Sequence, residues 1–343
     1  MQLNKHTTFI LFLTLCASVF STTLSANIAN KKEVKSFIEE MVSKHQFDRD
    51  SLVALFKQVE IKDKIIKAIE RPAESKPWYQ YRTIFLTDKR IQQGVKFWNE
   101  HADALKRATQ TYGVPEKIIV AIIGVETFYG KHKGHYRVMD SLSTLAFAYP
   151  KRSSFFKSEL EEYLLLTRDE KVDPLSLKGS YAGAMGKPQF ISSSYRRYAV
   201  DFDGDGKRDL LENTDDVIGS VAHYFSEHKW VAGEPIAAPA QVVGKDFKSI
   251  IDNGIKPQQP LSDLIKKGVS VFAEYPLDQN SALIEFELKS GHEYWVGFDN
   301  FYVITRYNHS ELYAMAAFQL GQAIAEQRRL DQAENTKAVA DKN

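Results

Sequence analysis

Residues 114–130 of this chain read Val-Pro-Glu-Lys-Ile-Ile-Val-Ala-Ile-Ile-Gly-Val-Glu-Thr-Phe-Tyr-Gly. Residues 118–123 are apolar on every face, which predicts a helix buried all round rather than an amphipathic surface helix. Pro115 suits the first helical turn, where its missing N–H costs nothing, and Gly130 can end the helix in the left-handed conformation. The segment therefore predicts a core helix around which the rest of the chain packs.

Glu126 is the one carboxylate near the end of this apolar segment. Loss of solvent and the negative end of the helix dipole are both expected to raise its pKa. A carboxylic acid that stays protonated near neutral pH is what a general acid requires. The alternative is a glutamate whose head group reaches solvent, and the helix alone favours that alternative because structural groups also have perturbed pKa values. Residues elsewhere in the chain are needed to choose.

Composition indicates a soluble globular protein, because 43% of the 343 residues are hydrophobic and 26% are charged. The length exceeds one average domain, so two or three units sharing a core are plausible. The formal net charge of +1 becomes zero if residues 1–26 are removed, since these contain Lys5 and no acid. A neutral mature chain gives no electrostatic case for nucleic-acid binding.

Residues 1–26 have the pattern of a secretory signal peptide. Lys5 precedes an apolar run over residues 9–15, and small residues follow up to Ser25 and Ala26. The apolar run is too short for a membrane span. Cleavage near Ser25 or Ala26 is favoured, because small residues meet the usual requirement of the signal peptidase.

Cys16, the only cysteine, leaves a second kind of processing open. Residues 13–16, Leu-Thr-Leu-Cys, faintly resemble a lipoprotein box, in which the cysteine is lipidated and becomes the new N-terminus. Leu15 departs from that pattern, which requires a small residue just before the cysteine. Both alternatives export the protein, and the favoured one leaves a mature chain without cysteine or disulfide.

Residues 27–110 are assigned to an N-terminal helical domain in which nothing demands chemistry. The aromatic segment 78–81 shows neither helical nor strand periodicity. Asp50 or Ser51 is the expected N-cap of a helix over residues 51–56. Apolar residues at helical spacing predict helices over residues 34–42, 51–56, 63–70 and 91–111.

Two basic features after the central helix are weak signals. Lys151 and Arg152 could bind an anionic peptide or a sugar carboxylate, because arginine prefers carboxylates, although paired surface bases are usually only solvated. His132 and His135 have no carboxylate or cysteine partners at the spacing of a zinc site, so no zinc is expected.

Residues 179–190 form a glycine-rich segment, Gly-Ser-Tyr-Ala-Gly-Ala-Met-Gly-Lys-Pro-Gln-Phe. Its glycines can adopt positive φ and let the backbone approach a ligand closely. Gln189 offers both a hydrogen-bond donor and an acceptor. Together with Glu126, the segment favours a ligand-binding loop.

Residues 201–212 match the calcium-loop template position by position, and the alternative is a solvated acidic turn. Hard oxygen ligands at this spacing suit calcium. The template assigns ligands to Asp201, Asp203 and Asp205, a glycine to Gly206, a backbone carbonyl to Lys207 and the closing carboxylate to Glu212.

Residues 235–291 are predicted to form a small inserted domain containing β-structure, because prolines punctuate short segments there. Residues 284–288 alternate as a strand, and Gly291 lies in a turn that leads to residues 294–296. The chain then predicts a helix over residues 310–329 and a disordered, charged tail over 331–343.

Three motifs together resemble the lytic murein transglycosylases of the B type. They are Val-Glu-Thr-Phe-Tyr-Gly at 125–130, Gly-Ala-Met-Gly followed by Gln-Phe and Ser-Ser-Tyr within 183–195, and Tyr-Val-Ile-Thr-Arg-Tyr-Asn at 302–308. The resemblance covers nearly all of the chain after the signal, in the expected order. One departure is Ser192, where the family usually has proline, and this affects loop rigidity more than chemistry.

The resemblance implies a mainly α (α+β) fold, with a lysozyme-like catalytic core built from residues 111–234 and 292–330. The N-terminal helical domain and the small inserted domain flank this core. Glu126 is implied as the single catalytic acid, and the residues implied to line the sugar cleft are Ser180, Gln189, Tyr224, Tyr307, Asn308 and Tyr313.

The family also has a calcium loop, but closes it with a carboxylate beyond the twelfth template position. Asp216 matches that carboxylate here, so whether Glu212 or Asp216 completes the shell stays open, within a loop spanning 201–216. The expected role of calcium is structural, and no organic cofactor is expected.

The implied reaction is non-hydrolytic cleavage of the β-1,4 bond between N-acetylmuramic acid and N-acetylglucosamine in peptidoglycan. Ordinary glycosidases need two carboxylates, and no second motif carboxylate accompanies Glu126. One suffices if the muramoyl C6 hydroxyl is the nucleophile, which gives a 1,6-anhydro product. We expect a monomer in the periplasm that binds glycan strands and no nucleic acid, with an outer-membrane lipid anchor only if Cys16 is lipidated.

Two other functions remain as alternatives from the sequence. A goose-type lysozyme would use the same acid with water as the acceptor. A catalytically silent peptidoglycan-binding protein is disfavoured, because Glu126 and the cleft residues are all present.

Overall fold

A computed structural model describes residues 28–71 and 75–340, with side chains described up to residue 337. The predicted signal peptide and Cys16 lie outside the described residues, so their processing stays a prediction. Over the described ranges the fold class is mainly α (α+β), as predicted, with one five-stranded and one two-stranded sheet. None of the helices in this part of the chain combines the length and apolar character needed to cross a membrane.

Helices account for most of the regular structure in the described ranges. The α-helices are α1 (Lys32–His45), α2 (Arg49–Phe56), α3 (Asp63–Ile69), α4 (Trp78–Phe85), α5 (Asp88–Glu100), α6 (Ala102–Tyr112), α7 (Glu116–Thr127), α8 (Val138–Ala148), α9 (Ser153–Asp169), α10 (Ser192–Tyr198), α11 (Thr214–Glu227), α12 (Lys248–Ile251), α13 (Leu261–Lys266), α14 (Asp299–Ile304) and α15 (Glu311–Ala340). The strands are β1 (Tyr136–Arg137), β2 (Lys178–Gly179), β3 (Ala237–Val242), β4 (Gln259–Pro260), β5 (Val269–Val271), β6 (Asn280–Glu287) and β7 (His292–Gly297).

The N-terminal helices differ from the prediction in three places. The cap of α2 is Asp48, whose side chain accepts the amide of Ser51 at 2.7 Å, rather than either residue predicted. The segment predicted to be aperiodic forms α4, because Trp78 and Tyr81 lie one helical turn apart and both are buried. The predicted long helix breaks at His101 into two helices. The break lets α5 pack on α7 and α15 while α6 packs on α11.

The apolar segment forms α7, in which every residue from 118 to 125 is buried, and this confirms the predicted core helix. Full burial of one Val or Ile side chain contributes about 1.5–3 kcal/mol, so α7 is a main source of core stability. Helix α15 crosses it closely at Gly321, where a Cβ would lie only 2.8 Å from the carbonyl oxygen of Lys117. The close packing of α7 and α15 therefore fixes the position of the backbone that carries Glu126.

The end of α7 was predicted wrongly. The left-handed cap is Phe128 (φ 51°), whose N–H bonds to the carbonyl of Gly124, and Tyr129 (φ 59°) and Gly130 (φ 87°) continue the left-handed turn. A non-glycine residue in this region costs about 1–3 kcal/mol and persists only when its surroundings hold it. The strained turn begins two residues after Glu126.

The inserted sheet has the order β4-β6-β7-β3-β5 and is antiparallel throughout. Strands β6 and β7 confirm the two predicted strands, and Gly291 (φ 75°) lies in the turn between them. Ile284 and Phe286 join the main core, whereas Leu283 and Val296 belong to a second, smaller core. The predicted boundary after residue 291 separates paired strands, so the division into domains stays a prediction.

The C-terminal segment from residue 331 was predicted to be disordered, but α15 continues to Ala340. Residues 331–340 contain neither glycine nor proline, and six of the ten are Ala, Gln, Glu or Lys. These residues have good helix propensity, and extending an existing helix avoids the cost of nucleation. Charge alone therefore did not indicate the state of this segment.

Candidate active site

Glu126 lies half-buried on the last turn of α7 and faces the start of α15. The hydroxyl of Tyr313 donates a hydrogen bond to Glu126 Oε1 at 2.5 Å. The ring of Tyr307 lies parallel to that of Tyr313, with centroids 6.4 Å apart and planes inclined by 8°. The Tyr307 hydroxyl in turn donates to the carbonyl of Pro188 at 2.6 Å. The tyrosine pair thus connects the acid to the loop that precedes Gln189.

Both tyrosines are held in their protonated form. Burial raises the pKa of Tyr313 and of Tyr307 well above the usual value, and the nearby charge of Glu126 raises it further. A phenol with a raised pKa remains a hydrogen-bond donor at every physiological pH. Tyr313 can therefore orient the carboxyl group of Glu126 throughout the working range of the protein.

A cavity of about 430 Å³ opens beside this tyrosine pair. Four of the six residues predicted to contact sugar line it, namely Gln189, Tyr224, Tyr307 and Asn308. The other lining residues are Arg152, Phe155, Phe156, Ala182, Phe190, Ile191, Ser194, Arg306 and His309. The structure thus brings residues from four separate parts of the chain, within 152–156, 182–194, 224 and 306–309, to one cleft.

The side chain of Ser180 stabilises the glycine-rich loop from within and does not point freely into the cleft. Its Oγ accepts the amides of Ala182 and Ala184 at 3.2 and 3.1 Å, and it is not among the lining residues of the cavity. Gly186 has φ 71°, and a Cβ there would lie 2.3 Å from the carbonyl oxygen of Leu210, so only glycine fits. The loop is therefore a rigid wall of the cleft.

Gln189 and Tyr224 are also anchored to the backbone. The side-chain amide of Gln189 donates to the carbonyls of Lys133 and Gly186 at 3.2 and 3.0 Å. The Tyr224 hydroxyl donates to the carbonyl of Arg306 at 2.5 Å. Burial raises the pKa of Tyr224, so this hydroxyl also stays protonated. These bonds fix the shape of the cleft before any ligand enters.

Ser192, a buried residue next to the cleft residue Ile191, occupies the position at which the sequence departs from the family pattern of proline. Ser192 begins α10, a position that suits proline, and its Oγ has no hydrogen-bond partner among the described residues. Its neighbour Ser193 is held by Glu159, which accepts the Ser193 amide at 3.0 Å and its hydroxyl at 2.7 Å. Glu159 therefore anchors the start of α10 from α9.

The two basic residues singled out in the sequence, Lys151 and Arg152, differ in their position relative to the cavity. Arg152 lies on the cavity wall with its guanidinium carbon 4.3 Å from the ring centroid of Phe155, whereas Lys151 is not a lining residue. Tyr81 lies close enough to Tyr313 to raise the pKa of Tyr313, a relationship that the sequence did not predict.

In the sequence, Tyr81 stands out only as part of the aromatic segment 78–81, which shows no helical or strand periodicity.

The acidic loop brings together three of its predicted ligands. Carboxylate oxygens of Asp201, Asp203 and Asp205 lie within 4.8 Å of one another, and among the described residues this is the group that could hold a metal ion. Gly204 and Gly206 both have positive φ, and the carboxylate of Asp201 accepts their amides at 2.8 Å. Converging hard oxygens of this kind fit calcium.

The two candidate closing carboxylates lie outside that group. Glu212 bonds to the ammonium of Lys133 at 2.6 Å, and its side chain is 75% exposed. Asp216 is fully buried and accepts the amides of Phe202 and Asp209 at 2.7 and 2.8 Å. Asp216 thus fastens both arms of the loop, and either residue as a ligand remains a prediction.

Lys207 was predicted to offer its backbone carbonyl as a ligand. Its amide donates to Asp205 at 2.8 Å, which places Lys207 at the turn that follows the three carboxylates. A ligand role for its carbonyl stays a prediction.

Lys187 connects the acidic loop to the end of α7. Its ammonium donates to the carbonyl of Glu212 and to the hydroxyl of Thr214, both at 2.7 Å. Its own carbonyl accepts the hydroxyl of Thr127 at 2.8 Å. Since Thr127 follows Glu126 directly, the loop and the acid are joined by consecutive hydrogen bonds that the sequence did not indicate.

Comparison with known proteins gives one consistent result. The family model of the transglycosylase SLT domain matches residues 29–322. The chain is 45% identical over 314 residues to the membrane-bound lytic murein transglycosylase B of Escherichia coli (strain K12), covering 88% of this chain and 85% of that protein.

Two solved structures are similar along most of their length. The catenated lytic transglycosylase SltB1 of Pseudomonas aeruginosa is 50% identical, with a TM-score of 0.83, covering 88% of this chain and 99% of that one. The Escherichia coli lytic transglycosylase Slt35 in complex with calcium is 44% identical, with a TM-score of 0.80, covering 88% and 95%. With its lysozyme-like helical core and Glu126 beside a preformed cleft, this chain belongs to the SLT-domain transglycosylase family, as a relative of the B-type lytic murein transglycosylases.

Proposed function

We propose that the protein cleaves peptidoglycan glycan strands at the β-1,4 bond between N-acetylmuramic acid and N-acetylglucosamine without using water. The observation that carries this proposal is a lone acid beside the cleft. Glu126 is held by Tyr313, whose ring stacks on that of Tyr307 in the cavity wall. Glu126 itself lies beside the described lining residues, and these include no aspartate or glutamate that could act as a second carboxylate. A hydrolase of the usual kind needs a second carboxylate at a defined separation.

Glu126 acts first as general acid and then as general base. It protonates the glycosidic oxygen as the bond from that oxygen to C1 of the muramoyl residue breaks, which releases the N-acetylglucosamine hydroxyl. As a carboxylate it then takes the proton of the C6 hydroxyl, whose oxygen forms the new bond to C1. The product is a 1,6-anhydromuramoyl end, and Glu126 regains its proton.

Charge at the sugar ring is compensated by the substrate itself. The positive character that develops at C1 is offset by the substrate's own N-acetyl oxygen. Ser180, Asn308 and Gln189 are the candidates for positioning that oxygen, and of these Asn308 and Gln189 line the cavity. The hydroxyl oxygen of Ser180 already accepts two backbone amides, so Ser180 acts mainly by shaping the loop.

Calcium, when bound, supplies structural cross-linking and no chemical step. Asp201, Asp203 and Asp205 would hold it, with Asp216 fastening the loop around them. A relative was solved in complex with calcium, and the donor set here is of the type that ion prefers. The proposed substrate and the predicted export signal support a periplasmic location, and outer-membrane association depends on Cys16.

The variant Glu126→Gln tests the assignment of the acid. We expect turnover of purified peptidoglycan to fall by about 10²–10⁴-fold or more, since general acid catalysis alone is worth that much. The melting temperature and the affinity for glycan strands should stay close to those of the wild type. Near-normal turnover by a folded Gln variant would contradict the assignment.

A further inference from the structure

The turn after Glu126 is unusual because two bulky residues in succession adopt the left-handed conformation. Phe128 has φ 51° and Tyr129 has φ 59°, before Gly130 at 87°. Such a conformation persists only where the surrounding structure over-determines it. What holds the turn therefore also holds the last turn of α7, on which the Glu126 carboxyl depends.

The Tyr129 side chain fits a slot between α5 and α7. A Cβ on Gly94 would lie 2.5 Å from the Tyr129 hydroxyl oxygen, and a Cβ on Gly124 would lie 2.6 Å from it. Two glycines thus make room for one phenol. The hydroxyl donates at 2.9 Å to the backbone carbonyl of Arg90, and the ring lies 5.5 Å from that of Phe97.

The side chain of Arg90 also contacts the turn after Glu126, through Gly124 and Phe128. Its Nε donates to the carbonyl of Gly124 at 3.2 Å, two residues before the acid. Its guanidinium carbon lies 5.1 Å from the ring centroid of Phe128 and 5.2 Å from that of Phe85. A second donor of the guanidinium bonds to the carbonyl of Ile84. Only a planar group with several donors can make these contacts together.

We propose that Arg90 on α5 and Tyr129 in the turn after α7 are positioning residues for Glu126. The proposal rests on the proposed function, because it assumes that Glu126 is the acid. The hydrogen bonds of the two side chains go to backbone carbonyls of α4, α5 and α7, so both residues act through the turn and not through the substrate. An error of about 1 Å in the placement of a catalytic group can cost on the order of 100-fold in rate.

The alternative is that this contact stabilises the fold without affecting the geometry of the acid. Tyr163 on α9 is a matched control, because it is fully buried and its hydroxyl also donates to a backbone carbonyl, that of Pro174, at 2.7 Å. It takes no part in the site. Both Tyr→Phe variants therefore delete a partly buried hydrogen bond from a phenol to a backbone carbonyl.

The test compares Tyr129→Phe with Tyr163→Phe in melting temperature and in kcat and KM on soluble glycan chains. We expect similar losses of melting temperature. For Tyr129→Phe we expect kcat to fall about 10- to 100-fold with KM within about threefold, because only the transition state needs the exact placement of the acid. For Tyr163→Phe we expect kcat within about twofold of the wild type. Equal kcat values in the two variants would overturn the proposal.

A second pair of variants serves if Tyr129→Phe does not fold. Arg90→Lys keeps a cation that can reach the carbonyl of Gly124, whereas Arg90→Met keeps only the length of the side chain. The expected order of kcat is wild type, then Lys, then Met, and equal values for Lys and Met would overturn the proposal. A wild type that forms products by hydrolysis would contradict the proposed acceptor instead, and the kcat ratios would still decide the question of positioning.

Discussion

Tyr313 and Glu126, which lie 187 residues apart in the chain, are joined by a 2.5 Å hydrogen bond from the phenol to Oε1 of the carboxyl. The bond crosses from α15 to α7, two helices that pack against each other at the centre of the core. Because burial keeps the phenol protonated, the donor is always available. The acid is thus oriented by a group that needs no ligand and no pH change to act.

Tyr313→Phe should lower kcat by about 10- to 100-fold, because the phenol stabilises the negative charge that Glu126 develops as it gives up its proton. Hydrogen bonds to charged groups are worth about 1.5–3 kcal/mol. The phenyl ring keeps the stacking on Tyr307, so KM should change little. Tyr294→Phe is the control, since the Tyr294 hydroxyl also bonds a carboxylate, Glu285, at 2.9 Å, but on the inserted sheet. The measurement is kcat and KM of both variants by steady-state kinetics. An unchanged kcat for Tyr313→Phe would show that the phenol does not orient Glu126 for catalysis.

Calcium should raise the melting temperature without a part in the chemistry. An ion bound only by the folded protein stabilises it by about 2.7 kcal/mol at a hundred times its dissociation constant. The measurement is thermal unfolding of metal-free protein with and without added calcium, with Asp203→Asn as the variant that should lose the response.

Two outcomes would count against this role of calcium. A melting temperature unaffected by chelator would contradict the site. A loss of activity without a change in melting would indicate a direct catalytic role, for which Lys187 offers a connection from the loop to Thr127.

Stability should fall as the pH drops below about 6.5, in part because of His228. Burial lowers the pKa of His228 from its usual 6.5, Arg306 and Arg197 lower it further, and Glu227 and a bond to the Tyr224 carbonyl oppose this. The unfolded chain then takes up the proton first, so folding loses free energy between pH 6.5 and the folded pKa.

His228→Phe keeps a ring against Tyr224 but cannot titrate. The melting temperature of this variant should depend less steeply on pH than that of the wild type over the range below about pH 6.5. Since burial also lowers the pKa of His101, part of the slope should remain. Identical slopes for variant and wild type would show that His228 does not contribute.

The parts of the fold that follow from local patterns could be predicted. Helix α7 was evident because its apolar residues leave no polar face, and β6 because alternation over a few residues specifies a strand. Cleft residues such as Gln189 and Asn308 came from motif resemblance, and the structure brings them to one cavity.

The parts that depend on contacts between distant segments could not be predicted. Gly94 and Gly124 admit the phenol of Tyr129 only once α5 and α7 pack together, and neither glycine has a local signature for that role. In the acidic loop, Lys133 from another segment donates to the Glu212 carboxylate, and the loop template contains no signal for that contact. Whether Glu212 or Asp216 completes the calcium shell stays a prediction.

Isotope labelling identifies the acceptor in the cleavage reaction, which is either water or the C6 hydroxyl of the muramoyl residue. Purified peptidoglycan is digested to completion in water enriched in heavy oxygen, with Glu126→Gln as the inactive control, and the muropeptides are weighed by mass spectrometry. The account predicts muramoyl ends that are lighter by one water than the hydrolysis products and carry no label. Reducing muramoyl ends that carry one heavy oxygen would contradict it.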